Sequence, residues 1–170
     1  MKLAGRALLG AAAVALITTS GSLNAQDGDG MGLSDTQTTR VTEIMAPGLK
    51  ACAGVEVVYR PDCFQQVYRT AARQLGSNAG YWEAEVALTR VGRNLYNFVR
   101  ANTDKKASKI KAGGFRLKAV TEASLPEAGR IYQDNVAKAE DILRSGSAAE
   151  KRYFEPIADL VGKYDTAIPR

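Results

Sequence analysis

The stretch 49–75, LKACAGVEVVYRPDCFQQVYRTAARQL, holds both cysteines of the chain and its clearest helical pattern. Asp62, just behind Pro61, reads as an N-cap, and Phe64, Val67, Tyr68, Ala71, Ala72 and Leu75 follow at i, i+3, i+4, i+7, i+8 and i+11. At 3.6 residues per turn those positions share one face, so they form the apolar stripe of an amphipathic helix. Gly76 marks its end. Between the cysteines, Val55, Val57, Val58 and Tyr59 make a short β-rich run that competes as a strand signal.

The same period extends in both directions. Ser34 or Asp35 is placed to cap a first helix carrying Val41, Ile44, Met45 and Leu49, which Pro47-Gly48 is expected to kink or end near Ala46. From Ser77 or Asn78 to about Asn102, the positions Ala84, Leu88, Val91, Leu95 and Phe98 form a wide stripe suited to a central helix. Ser124-Leu125-Pro126-Glu127 and Ser147-Ala148-Ala149-Glu150 both match the capping box. In that motif the serine hydroxyl takes the N–H three residues on, and the glutamate reaches back to the serine N–H. The first box opens a helix with Ile131, Tyr132, Val136, Ala139 and Leu143. The second opens one with Phe154, Ile157, Leu160, Val161 and Tyr164, which Pro156 is expected to kink or restart. Residues 103–114 are polar and basic and read as a solvent-facing connection, while 115–123 fits either strand or helix.

Short connections make successive helices antiparallel neighbours. The predicted fold is therefore all-α, an up-and-down bundle of four to five helices with one intramolecular disulfide. The single helical domain is placed at 34–166, after a flexible Gly/Asp-rich segment at 26–33 and before a frayed tail at 167–170.

The first 25 residues have the layout of a secretory signal peptide. Lys2 and Arg6 precede the apolar run LLGAAAVALI at 8–17, and a small-residue segment ends at Ala25. Ten apolar residues fall short of the ~20 that a bilayer span requires. Removing 1–25 takes away Lys2 and Arg6 and no acid, so the formal charge falls from +5 to +3. A mature chain of that charge in a periplasmic or secreted setting gives no ground for nucleic-acid binding. The oxidising compartment also settles how the cysteines are read. Cys52 and Cys63, eleven positions apart, lack the spacing of a redox pair, and two thiols alone cannot complete a zinc site. A structural disulfide is expected.

The chain contains no histidine. That removes the commonest general base and the commonest zinc and haem ligand, along with every catalytic triad built on imidazole. Glu83 and Glu85 point to different faces of a helix, as do Glu140 and Asp141, so no acid/base pair forms locally. No cofactor, metal site or enzymatic constellation is expected.

Two clusters remain. Lys105, Lys106, Lys109, Lys111, Arg116 and Lys118 form a basic run that can dock on an anionic membrane surface or an acidic protein, although a solvated loop is the plainer reading. On the central helix, Arg93, Tyr96, Asn97 and Arg100 lie at i, i+3, i+4 and i+7. Together with Tyr81 and Trp82 they could line a cleft for a carboxylate or phosphate ligand. The plainer reading is that these arginines pair with acids of neighbouring helices and the aromatics enter the core. The expected function is non-enzymatic: an interaction or structural role in the cell envelope, with another envelope protein as partner. The alternative is a bundle that binds a small ligand or lipid through the Arg/aromatic cleft.

Overall fold

In a computed structural model that describes residues 32–170, five helices occupy Asp35–Ala53 (α1), Arg60–Leu75 (α2), Trp82–Asn102 (α3), Leu125–Ser145 (α4) and Ala148–Gly162 (α5). The signal-peptide layout at 1–25 lies outside the described residues. Each helix packs its apolar stripe against the next in the chain, and α5 returns to pack on α1, which closes the ring. α1 and α5 start at the same end. The Thr38 hydroxyl donates to the Tyr153 carbonyl at 3.1 Å, and Asp35 pairs with Arg152 at 2.8 Å. With five up-and-down helices, first and last run parallel, as those contacts require. The fold is thus the expected all-α bundle, with one Cys52–Cys63 disulfide.

The buried centre is aromatic. Phe64 and Tyr68 of α2 meet Tyr132 of α4 with ring centroids 5.1 and 6.4 Å apart, tilted as ring quadrupoles prefer. At the end where α1 and α5 begin, Tyr81 packs on Phe154 at 5.7 Å. All six stripe positions of α2, from Phe64 to Leu75, are buried.

Several local expectations give way to tertiary packing. α1 does not end at Ala46. It runs through Pro47 to Ala53, because Met45, Leu49 and Cys52 are buried on both sides of the proline and Gly48 lets Val67 of α2 come close. The run Val57–Tyr59 is a 3-10 turn rather than a strand, and it leads directly into α2 at Arg60. Pro156 leaves α5 unbroken, since the proline is exposed while Phe154, Ile157 and Ala158 are buried around it. Of the two capping boxes, Ser147–Glu150 forms and Ser124–Glu127 does not. A 3-10 turn at Glu122–Ser124 holds Ser124 in a helical conformation, so its hydroxyl donates to the Thr121 carbonyl and Glu127 pairs with Arg130 instead.

Both ends of the domain are more tightly held than the sequence suggests. Leu33 is fully buried, and the Gly32 carbonyl accepts from Asn78 at 2.6 Å, so the packed domain begins inside the segment expected to be flexible. The residues from 167 on do not fray. Ile168 is buried, its carbonyl accepts from Gln133 at 3.0 Å, Arg60 donates to the Ala167 carbonyl at 2.9 Å, and Arg170 pairs with Asp134 at 3.2 Å. Gly129 makes room for this tail, because a Cβ there would collide with the Pro169 carbonyl.

The only strands among the described residues are Ile110–Ala112 (β1) and Phe115–Leu117 (β2), an antiparallel hairpin with Lys111 opposite Arg116. Gly113 and Gly114 both have positive φ, +57° and +81°, as a two-residue hairpin turn of the favoured hand demands. The ambiguous segment at 115–123 therefore begins as a strand.

Two stability predictions follow from this packing. The disulfide closes a loop of about twelve residues, worth ~3 kcal/mol in chain entropy. The Cys52→Ala/Cys63→Ala double variant should lose about that much in guanidinium unfolding, with helical content retained by circular dichroism. The second prediction concerns alkaline pH. Burial pushes the hydroxyls of Tyr68 and Tyr132 well above their ordinary range. A raised folded pKa adds stability that is intact below the unfolded tyrosine value of ~10 and lost as pH climbs past it. The unfolding midpoint should accordingly drop between pH 9 and 11. Tyr68→Phe should lessen the drop, because it removes one of the two buried hydroxyls that resist ionisation.

Candidate functional site

The turn closed by the disulfide is the seat of the basic hairpin. Val58 offers its carbonyl to the Val120 N–H at 2.9 Å, and the Tyr59 hydroxyl donates to the Ser108 carbonyl at 2.8 Å. Asp62 is not the N-cap of α2. It sits in the first turn, buried, where its carboxylate accepts from the Lys118 N–H at 2.8 Å and from the side chains of Gln65 and Gln66. The Gln66 amide also reaches the Arg116 carbonyl at 3.3 Å. No side-chain cap is needed, because the 3-10 turn feeds straight into the helix and frees Asp62 to reach the hairpin.

On this seat the hairpin turns its apolar side inward. Leu117 is buried, and Phe115 is half-buried, lining with Gly113 a shallow groove against α1 and Val67 of α2. Lys111 and Arg116 stand side by side on the outer surface, and Lys105, Lys106, Lys109 and Lys118 are exposed beside them. Like charges placed opposite each other in a ladder repel, so the array is unfavourable for the isolated molecule.

Charge is divided unevenly along the chain. Residues 60–118 carry twelve Lys/Arg against four Asp/Glu, whereas 119–170 carry seven against nine. Ion pairing follows the same division. Arg130, Arg144, Arg152 and Arg170 pair with Glu127, Asp134, Glu140, Asp159 and Asp35. Among the described residues, no cation from 60 to 118 makes an ion pair. The expectation that the central-helix arginines pair with neighbouring acids is thus corrected: Arg93 and Arg100 have no such partner.

Arg93, Tyr96 and Asn97 do come together, in a groove of about 380 Å³ between α2 and α3. Their expected companions Tyr81, Trp82 and Arg100 do not line this groove. Tyr81 is in the core, its hydroxyl donating to the Ser34 carbonyl at 2.7 Å, and Trp82 is 65% exposed and outside the groove. Arg100 lines an adjoining recess with Asn97 and Ala101. The residues that complete the groove are Arg69, Arg73 and Ala72 of α2, with Glu85 and Thr89 of α3. Arg69 and Arg73 are four apart on the polar side of the α2 stripe, a signal for a shared face but not for what that face meets. A larger groove of about 820 Å³ runs between α3 and α4, lined by amides and mixed charges including Asn94, Asn135, Arg130 and Asp134. It holds internal pairs already: Asn94 donates to Asn135 at 2.6 Å, and Arg130 pairs with Glu127 and Asp134. Among the described residues, no three His, Cys, Asp or Glu side chains converge to hold a metal ion.

The seat of the hairpin can be tested at Asp62. Asp62→Ala leaves the Lys118 N–H without its acceptor and should cost about 1–3 kcal/mol. Amide exchange at residues 110–120 should speed up well before that of α4, since local opening precedes global unfolding. Equal acceleration throughout the bundle would mean that Asp62 supports the whole fold rather than the hairpin.

Comparison with protein-family models, with curated proteins and with solved structures finds no match to this chain, so any functional reading rests on the geometry above.

Proposed function

We propose that this chain is an exported, non-enzymatic interaction protein of the cell envelope, and that its hairpin face docks on an acidic partner protein. The observation that carries the reading is the set of unpaired cations held on a fixed scaffold, with Lys111 opposite Arg116 at its centre. Charges that only keep a loop in solution have no need of a two-stranded ladder anchored by a buried carboxylate. An anionic counter-surface relieves the repulsion between them and also speeds encounter.

An acidic protein fits this face better than a lipid surface does. Peripheral membrane contacts normally combine basic residues with an apolar wedge, and here the hairpin's one aromatic side chain, Phe115, is half-buried beside α1. Among the described residues, the two large exposed apolar side chains, Trp82 and Tyr96, are on α3 rather than on the hairpin. No described helix is long and apolar enough to cross a membrane. An enzymatic role finds little support: there is no histidine, and the two tyrosines with raised pKa values are buried in the core, where they stay protonated.

The test compares the mature chain with a Lys109→Gln/Lys111→Gln/Arg116→Gln/Lys118→Gln variant. The unmodified protein should retain an acidic envelope protein that elutes at about 0.5 M salt, where the Debye length shrinks to a few ångströms. The purified pair should re-form a complex that the variant does not make. Equal retention by the variant would sink the proposal. So would binding to anionic phospholipid vesicles with no acidic protein retained, which would assign the face to a membrane surface instead.

A further inference from the structure

The groove between α2 and α3 is a separate matter from the hairpin: its arginines are exposed, but Arg69 and Arg73 of α2 and Arg93 of α3 face one open groove from two sides. Arg69 is placed by contacts on both sides. Its stem crosses α3 at Gly92, where a Cβ would come within 2.6 Å of the Arg69 Cγ, and its guanidinium lies 4.8 Å from the centroid of the Tyr96 ring. Stacking on an aromatic face fixes the plane of a guanidinium and leaves its N–H groups directed outward. Gln65 and Thr70 add weak support, at 3.5 Å to Arg69 and 3.2 Å to Arg73. Arg93 has no hydrogen-bond or ion-pair partner among the described residues.

The charge of the cavity indicates what it would hold. Arg69, Arg73 and Arg93 line it together with a single acid, Glu85, whose carboxylate is engaged by the Thr89 hydroxyl at 2.9 Å. Three cations and one anion leave the lining at +2. A monocarboxylate satisfies one guanidinium fork and leaves the others unmatched, whereas a phosphate ester carries close to two charges and three acceptor oxygens at neutral pH. The cavity, about 380 Å³, has room for a phosphate and a small organic group beside Asn97 and Thr89. We infer that the α2–α3 groove is a binding site for a phosphate monoester or diphosphate, gripped by Arg69, Arg73 and Arg93 with Tyr96 holding Arg69 in place.

This inference does not depend on the hairpin docking reading, and the experiment separates the two. Pyrophosphate and phenyl phosphate are titrated into the mature chain by calorimetry and followed by arginine side-chain NMR. Saturable one-to-one binding is expected, weakened about tenfold or more in Arg93→Gln, where a charge-assisted hydrogen bond is lost. Tyr96→Leu changes no charge, yet should weaken binding several-fold by releasing Arg69. Lys111→Gln/Arg116→Gln removes two exposed charges that do not line the groove and should weaken binding much less than Arg93→Gln does, since salt screens exposed charges outside the site. Equal weakening in Arg93→Gln and the hairpin variant would mean diffuse attraction and would overturn the site, as would wild-type affinity in Tyr96→Leu or the absence of saturable binding. A parallel titration with phosphatidylcholine vesicles carrying phosphatidic acid identifies the source. Binding there that Arg93→Gln abolishes marks a lipid headgroup as the ligand, while binding of phenyl phosphate alone marks a diffusible ester.

Discussion

The cross-linked turn between α1 and α2 is the constraint on which most of the rest depends. The Cys52–Cys63 bond fixes the end of one helix to the start of the next. The residues it encloses then serve as attachment points for segments distant in sequence. Val58 and Tyr59 hold the two sides of the hairpin region, at Val120 and Ser108. Just outside the enclosed turn's apolar run, Arg60 donates to the Val55 carbonyl and to the Ala167 carbonyl, joining the turn to the C-terminal tail. One end of the bundle thus gathers the basic hairpin, the tail and the crosslink into a single packed layer, although they come from three separate parts of the chain.

The two sides of the molecule solve the problem of surface charge differently. On α4, α5 and the tail, arginines sit between carboxylates, as Arg144 does between Glu140 and Asp159 at 2.9 Å each. Exposed pairs of this kind add little stability individually, but they leave the surface nearly neutral. On α2, α3 and the hairpin the cations have no such partners, and a stacked arginine or a cross-strand pair of like charges is retained in the free protein. Departures of this sort from local optimum are expected where a surface has a task beyond folding.

Much of the fold was legible because helical periodicity is a local property. The stripe from Phe64 to Leu75 is buried at every position, and Ser147 with Glu150 forms the predicted box. The misses share a physical cause, which is that a distant contact outweighed a local rule. Pro47 breaks a helix only if nothing holds the flanking turns together, and here buried side chains and a disulfide do. Ser124 matches the capping pattern, but the 3-10 turn ahead of it removes the extended backbone that the motif needs. Ile168 reads as a fraying end until Arg60 and Gln133 are seen to engage the tail. The groove was half legible for the same reason. Arg93, Tyr96 and Asn97 share a face by spacing alone, whereas Arg69 and Arg73 join them only through the packing of α2 on α3, and Tyr81 leaves the set because Ser34 and Thr38 claim its hydroxyl.

The uneven neutralisation of charge gives the molecule a permanent electric dipole that its modest net charge conceals. With twelve cations against four acids in residues 60–118 and seven against nine in residues 119–170, the field of a negatively charged object exerts a torque as well as a pull. The protein would turn before it touched, presenting the hairpin and the α2–α3 groove while α4 and α5 trail behind. A small bundle that tumbles freely in solution would in this way behave near such a surface as a one-sided object, with rotational freedom lost before any contact forms.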